Sequence, residues 1–168
     1  MLIAGTAGAG KSTLARQVAE ALDLPYVELD SLFHGPSWTP RPEFVTEVDG
    51  FTRGDRWICE WQYRAVRPML ASRAETIVWL DFPRWLVMWR VLRRTVTRFV
   101  RNTELWNGNR EPSLWHAFTN PEGIIRWAWD THARNREQIL EAAAEHDHLE
   151  LVRLRSPREA RDWLDGLE

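Results

Sequence analysis

Short apolar stretches alternate along the chain with longer segments in which apolar residues recur every three or four positions. The short stretches are typical of buried strands, and the longer segments have the spacing of helices that cover one face of a sheet. The predicted strands are 2–4, 25–29, 57–60, 76–81 and 148–154, and the predicted helices are 13–22, 43–52, 64–73, 83–101, 121–145 and 157–164. This alternation predicts an α/β fold, with one parallel sheet and helices on both faces, spanning residues 1–168 as a single domain.

A glycine-rich segment joins the first predicted strand to the first predicted helix. It reads Gly5-Thr6-Ala7-Gly8-Ala9-Gly10-Lys11-Ser12, which fits the phosphate-binding pattern G-x-x-x-x-G-K-[ST] in the expected strand-to-helix context. Lys11, the only lysine in the chain, is predicted to reach the β- and γ-phosphates of ATP, and the Ser12 hydroxyl to bind the accompanying Mg²⁺. The predicted ATP-binding residues are Gly5, Gly8, Ala9, Gly10, Lys11, Ser12 and Thr13.

Three carboxylates stand at the carboxyl ends of predicted strands, namely Asp30, Glu60 and Asp81. Ligands of parallel sheets bind outside the carboxyl ends of the strands, so all three are expected beside the phosphate loop. Asp30 or Glu60 is predicted to hold Mg²⁺ through water, or to accept the proton of an acceptor hydroxyl.

The helix predicted over 83–101 carries an apolar face and an arginine face, and no acidic residue occurs between Asp81 and Glu104. A solvated charged face usually mixes signs, so this arginine stripe is predicted to lie against phosphates or distant carboxylates. Arginines between positions 90 and 101, together with Arg110, Arg134 or Arg136, are candidates to neutralise the transferred phosphoryl group. Arg94 and Arg98 are the preferred candidates from this helix, and a plain solvated face is the alternative.

Residues 102–122 lack periodicity and are rich in Asn, Gly and Pro. A long loop in a compact domain is usually functional, and a phosphotransferase needs a lid that excludes water from the activated phosphate. The segment is predicted to be a lid, with an unimportant surface insertion as the alternative.

Bulk composition narrows the class of partner. A formal charge of -2 over 168 residues argues against a general nucleic-acid or membrane-surface binder, and no apolar run is long enough to span a membrane. A single cysteine, Cys59, and a phosphate loop that leaves no room for a signal peptide predict a cytoplasmic protein. The first strand is short for a central strand, and whether the true start lies upstream of Met1 is left open. The oligomeric state is not predicted.

The phosphate loop and the segments 29–33, 56–63, 76–85 and 154–159 together resemble the adenylate-kinase-related P-loop proteins called DNA topology modulation (FlaR-like) proteins. The resemblance implies a three-layer P-loop NTPase fold of the nucleoside/nucleotide-kinase type, with sheet order 2-3-1-4-5 and an arginine-bearing lid. It also implies that a loop near Arg155 to Pro157 borders the adenine, which makes Arg155 a candidate cofactor-binding residue. Relatives typically have Asp-Gly where this chain has Glu60-Trp61, so a bulky ring is expected beside the acceptor site.

These observations predict an ATP-dependent phosphotransferase acting on a small-molecule acceptor. The acceptor is either a nucleoside monophosphate, for which Arg41, Arg64 and Arg67 are candidates to form a second cationic pocket, or a hydroxyl compound such as a sugar acid. The alternative is a nucleotide-dependent regulatory ATPase or binding protein without a small-molecule acceptor, since the same loop serves both uses.

Overall fold

The computed structural model describes residues 1–100 and 124–167, and the side chains of 1–97 and 131–167. At its centre is a five-stranded parallel sheet in the order β2-β3-β1-β4-β5. The strands are β1 (Leu2–Gly5), β2 (Tyr26–Val27), β3 (Ile58–Glu60), β4 (Thr76–Leu80) and β5 (Glu150–Leu154). The predicted α/β architecture and the sheet order are both confirmed.

Helices connect the strands and cover both faces of the sheet. They are α1 (Lys11–Ala21), α2 (Leu29–Phe33), α3 (Phe44–Phe51), α4 (Arg67–Arg73), α5 (Arg84–Val100), α6 (Ile124–Glu145) and α7 (Pro157–Asp165), with a 3₁₀ turn at Pro36–Trp38. The lid predicted over 102–122 lies outside the described residues.

Alternation of side chains along each strand divides the core into two layers. On one face Leu2, Cys59 and Trp79 pack with residues of α3, α4 and α6. On the other face Ile3 and Val78 pack with residues of α1 and α5. Which face a strand residue occupies therefore decides which helices its side chain meets.

Strand β1 is central although it is short, because it pairs with β3 on one side and β4 on the other. Ile3 lies opposite Glu60 and Val78, and Gly5 lies opposite Leu80. This register brings the start of the glycine-rich loop beside the ends of two neighbouring strands.

The predicted second strand, 25–29 with Asp30 at its end, is wrong in its length. Strand β2 contains only Tyr26 and Val27, and Asp30 lies in the first turn of α2. As an edge strand, β2 pairs with β3 alone, and the chain then turns so that the Ser31 amide and hydroxyl both donate to the Glu28 carbonyl. Asp30 thus stands after the strand on a short helix.

A capping box opens α7, as the sequence pattern indicates. The Glu159 amide donates to Ser156 Oγ at 3.1 Å, the Glu159 carboxylate accepts from the Arg155 amide at 2.8 Å, and Pro157 is the first helical residue. These bonds satisfy backbone donors that the helix itself leaves unpaired.

Replacing Ser156 with alanine is expected to lower the free energy of unfolding by about 1 kcal/mol, because the first turn of α7 loses its side-chain acceptor. Urea denaturation measures the change. Ser72→Ala, which removes an exposed serine hydroxyl from α4, is the matched control and is expected to be close to neutral or stabilising. Equal stability of Ser156→Ala and wild type would contradict the role given to this cap.

Candidate functional site

The glycine-rich loop adopts backbone angles that favour glycine. Gly5, Gly8 and Gly10 have φ of 146°, 84° and 101°, and Gly10 is the left-handed N-cap of α1. Among the described residues no side chain caps α1, and its first turn contains no acidic residue. The first amides of α1 and the positive end of its dipole are therefore available to an anion.

Lys11 lies half-buried at the start of α1, with Nζ 3.3 Å from the Thr6 carbonyl. Burial lowers the pKa of Lys11 from 10.5 to about 8, while the charges of Glu60 and Asp30 act to raise it. The positive charges of Arg94 and Arg67 lower the pKa further. Lys11 therefore shares one electrostatic environment with two predicted carboxylates and with Arg94.

Glu60 is a buried carboxylate, 1% exposed, at the end of β3. It shares the strand face of Ile58, which packs against α1, and on that side Tyr26 donates to Glu60 Oε1 at 2.6 Å. Oε2 lies 3.5 Å from the Leu29 amide. Burial and the bond to Glu60 raise the pKa of Tyr26, so the tyrosine remains a donor. Both oxygens of Glu60 thus face protein donors.

Trp61, the ring expected beside the acceptor site, points the other way. It is 4% exposed and packs into the layer formed with α3, α4 and α6, where its Nε1 donates to the Arg67 carbonyl at 3.3 Å. Because successive strand residues face opposite sides, a large residue after Glu60 enters the core of the opposite layer.

Asp30 is half-buried, and one of its oxygens is held by two donors. Gln62 Nε2 donates to Oδ1 at 2.7 Å, and the Tyr63 hydroxyl donates to the same oxygen. The Tyr63 hydroxyl also lies 3.2 Å from His34 Nε2. Burial first, and then the negative charge of Asp30, raises the pKa of Tyr63, so its hydroxyl keeps the proton that it donates.

The arginines of α5 differ in their contacts and in their exposure. Arg90 donates to the Ala9 carbonyl at 2.9 Å and lies 5.2 Å from the centroid of the Phe82 ring, so it packs against the glycine-rich loop. Arg94 is partly buried and acts on the charge of Lys11, whereas Arg93 is exposed. The side chain of Arg98 and the whole of Arg110 lie outside the described residues.

A cavity of about 400 Å³ borders the glycine-rich loop. Its walls include Gly8, Ala9, Gly10 and Thr13, together with apolar residues of α1, β4 and α7 and the Arg90 side chain. Lys11 and Ser12 are not part of this wall, and neither are Asp30 and Glu60, whose charges act on Lys11.

Arg155 does not line the cavity, although Pro157 two residues later does. The Arg155 side chain is exposed, and its amide donates to Glu159. The loop implied to border the adenine thus reaches the cavity through Pro157 and α7.

Asp81 directly follows β4, whose last residue lies opposite Gly5 of the glycine-rich loop, but its side chain pairs with arginines of α6 and β5. It shares the strand face of Trp79, and its carboxylate pairs with Arg136 of α6 at 2.9 Å and Arg153 of β5 at 2.6 Å. The convergence expected for Asp81 is therefore wrong, because alternation along β4 directs it towards α6. Arg136, a candidate for the phosphoryl group, is engaged in this ion pair, and Arg134 is exposed.

The three arginines considered for a second cationic pocket differ in their partners. Arg41 forms two hydrogen bonds with the Glu47 carboxylate, at 3.0 and 2.7 Å. Arg64 is exposed. Arg67 stacks over Trp61 at 4.6 Å from its centroid, donates to Gln138 at 2.6 Å, and has its pKa lowered by burial.

The Ser12 hydroxyl, at the start of α1, is a hard oxygen donor of the kind that Mg²⁺ prefers. In the described part of the chain, no cluster of three or more His, Cys, Asp or Glu could hold a metal ion. A single protein hydroxyl fits a cation that a triphosphate carries into the site. The same residues include no helix with the length and hydropathy needed to cross a bilayer.

Sequence reasoning missed the residues that fix the carboxylates. Tyr26, Gln62 and Tyr63 were not singled out, because a hydrogen bond between separate strand ends leaves no periodic signal in the sequence. The placement of Tyr26 had a signal in the parallel pairing of β2 with β3, in which Tyr26 lies opposite Ile58, two residues before Glu60.

Comparisons with known proteins give partial sequence matches. A family model described as shikimate kinase matches residues 7–55. The bifunctional pantoate ligase/cytidylate kinase of Gloeobacter violaceus is 36% identical over 83 residues, covering 47% of this chain and 15% of that protein. The cytidylate kinase of Nitratidesulfovibrio vulgaris is 46% identical over 39 residues, covering 23% of this chain and 17% of that protein. The chain therefore spans less than a fifth of these relatives.

Solved structures resemble the fold over almost the whole chain. A gluconokinase from Sinorhizobium meliloti has a TM-score of 0.52 at 18% identity, covering 99% of this chain and 91% of that one. A shikimate kinase from Acinetobacter baumannii, in complex with shikimate, has a TM-score of 0.57 at 16% identity, covering 99% and 88%. The matches support a P-loop protein of the nucleotide and nucleoside kinase type, and the likeness of the structures shows the fold.

Proposed function

We propose that this chain is an ATP-dependent P-loop kinase that transfers the γ-phosphate of ATP to a small-molecule acceptor. The observation that carries the proposal is the glycine-rich loop, whose residues line a cavity and which leads directly into Lys11, the lysine on which the charges of Glu60 and Asp30 act. A nucleotide with its nucleoside in the cavity and its phosphates along the loop would bring its terminal phosphate towards Lys11 and these carboxylates.

In this proposal the nucleoside of ATP occupies the cavity beside Arg90 and α7. The glycine amides and the N-terminus of α1 bind the phosphates, and the Lys11 ammonium group contacts the β- and γ-phosphates. Mg²⁺ bound to Ser12 would screen phosphate charge. Arg94, and Arg98 from the same helix, would neutralise the transferred group, and Arg155 would border the nucleotide through its loop.

The mechanism depends on positioning and charge rather than on covalent chemistry by the protein. Lys11, with a pKa near 8 before nucleotide binds, is protonated at neutral pH, and the negative charge of a bound polyphosphate would raise its pKa.

The FlaR-like proteins are the family we propose for the chain. The names of the similar proteins include kinases of nucleotides and of hydroxylated acids, so both classes of acceptor belong in the first test.

The test is ADP release from Mg·ATP with nucleoside monophosphates, nucleosides, gluconate, shikimate and related polyols, compared between wild type and Lys11→Ala. We expect at least one acceptor to raise ADP release well above the rate of the protein alone, and Lys11→Ala to remove this stimulation. Stimulation that persists in a folded Lys11→Ala protein would overturn the assignment of the site. Tight ATP binding without stimulation by any acceptor would favour a nucleotide-dependent binding protein instead.

A further inference from the structure

The two carboxylates near Lys11 differ in how much of each is available to a substrate. Glu60 is 1% exposed, and its two oxygens face the Tyr26 hydroxyl and the Leu29 amide. Asp30 is half-buried, and the hydrogen bonds that it accepts from Gln62 and Tyr63 go to Oδ1. Among the side chains of residues 1–97 and 131–167, none donates to Oδ2 of Asp30, so this oxygen is the one that can meet an acceptor.

Tyr63 is held in an unusual conformation at this point. Its φ of 61° is in the left-handed region, which an aromatic residue rarely adopts. The ring stacks on Phe33 with centroids 4.2 Å apart and meets the edge of Phe44 at 5.1 Å. Packing on both rings fixes the hydroxyl against Asp30, and such strained residues tend to cluster at functional sites.

The charges around Asp30 favour one class of acceptor over the other. A phosphate monoester has its second pKa near 6 and is already deprotonated at neutral pH, so it needs no base and would be repelled by Asp30 and Glu60. Of the three arginines considered for a second cationic pocket, Arg41 is paired with Glu47, Arg67 donates to Gln138 and lies over Trp61, and Arg64 is exposed. A hydroxyl group, in contrast, must lose a proton as it attacks.

We propose that the acceptor is a hydroxyl compound, and that Tyr63 and Gln62 hold Asp30 so that its uncovered oxygen takes the hydroxyl proton. This inference rests on the proposed kinase function. In the step, the acceptor O–H bond breaks and its proton passes to Asp30 Oδ2 as the acceptor oxygen bonds to the γ-phosphorus. The bond from the γ-phosphorus to the bridging oxygen breaks, and its electron pair leaves with ADP.

Asp30→Asn separates the two acceptor classes by the direction of its effect. For a hydroxyl acceptor we expect kcat to fall by about 10²- to 10⁴-fold, which is the usual contribution of a positioned base. For a nucleoside monophosphate the same change removes a repulsive charge, so kcat/KM would stay level or rise. The assay is ADP release with the hydroxyl compounds and monophosphates of the panel, using the full chain and confirming ATP binding separately.

Tyr63→Phe tests the positioning role, because it removes the hydroxyl and keeps the ring that packs on Phe33. We expect kcat for the hydroxyl acceptor to fall by about 10- to 100-fold while KM for ATP is retained. Tyr26→Phe is the matched comparison, because it removes the tyrosine hydroxyl that donates to Glu60. We expect it to lower kcat less than Tyr63→Phe does. Phe44→Leu loosens the packing around Tyr63 and should lower stability far more than kcat. If Tyr63→Phe does not fold, Gln62→Met removes the other donor to Asp30.

The outcomes separate this inference from the function on which it rests. Stimulation by hydroxyl compounds that is lost in Asp30→Asn and reduced in Tyr63→Phe supports it. Stimulation by a monophosphate alone, retained in Asp30→Asn, overturns the inference and leaves the kinase function standing. A folded Tyr63→Phe protein and a folded Gln62→Met protein with wild-type kcat overturn the positioning role. ATP binding with no stimulation by either class overturns the kinase function itself.

Discussion

Replacing Lys11 with methionine is expected to abolish phosphoryl transfer and, at neutral pH, to make the nucleotide-free protein more stable. Burial lowers the pKa of Lys11 to about 8 in the folded protein from 10.5 in an exposed side chain. Below pH 8 the lysine is charged in both states, so the folded state bears the whole cost of burying the charge. Methionine fills similar space without that cost.

The stability gain follows a defined course with pH. Each pKa unit corresponds to about 1.4 kcal/mol, and since Lys11 is only half-buried we expect a gain at the lower end of about 1–3 kcal/mol at pH 7. Wild type recovers stability relative to the variant as pH rises from 8 to 10.5, because the folded lysine loses its proton first. Urea denaturation at pH 7 and near pH 10 measures both values. A variant less stable than wild type at pH 7 would contradict the account.

Gly8→Ala is expected to weaken ATP binding strongly without a change at any charged residue. A Cβ at position 8 would lie 2.4 Å from Val91 Cγ2 and 3.0 Å from the Val87 carbonyl, and φ there is +84°. Backbone strain of about 1–2 kcal/mol and overpacking of about 1–3 kcal/mol would together displace the loop from α5.

If this whole cost of about 2–5 kcal/mol has to be met on binding, ATP affinity falls by roughly 30- to 4,000-fold. Titration of ATP followed by tryptophan fluorescence or calorimetry measures it. Gly50→Ala is the matched control, because a Cβ at Gly50 meets nothing within 4 Å and the residue lies in α3, where alanine is the better helix former. Equal ATP affinity of Gly8→Ala and wild type would show that the packed loop geometry does not determine nucleotide binding.

The fold and the nucleotide side of the site were accessible from the sequence because both have local signals. Apolar strands that alternate with helices specify a parallel sheet, and the glycine-rich loop has a fixed pattern between a strand and a helix. The register of β1 against β3 and β4 then places the ends of those strands beside the loop. The roles of the individual loop residues in binding ATP remain predictions.

The acceptor side was less accessible because it depends on which way single side chains point. Asp30 was expected at the end of a strand, but the edge position of β2 leaves only two paired residues before the chain turns into α2. Asp81 was expected near the phosphates, although alternation along β4 puts it with Trp79 against α6. The bonds from Tyr63 and Gln62 to Asp30 have no counterpart in the sequence pattern, since they join segments about thirty residues apart.

Transfer of an isotopically labelled γ-phosphate is the most direct test of the central claim. The protein is incubated with labelled Mg·ATP and the acceptor that best stimulates ADP release, and mass spectrometry locates the label. We predict that the label appears on an oxygen of the organic acceptor in amounts equal to the ADP formed, and that Lys11→Ala forms no labelled product. Label recovered only as inorganic phosphate, or retained in bound ATP, would contradict the claim that this chain is a kinase.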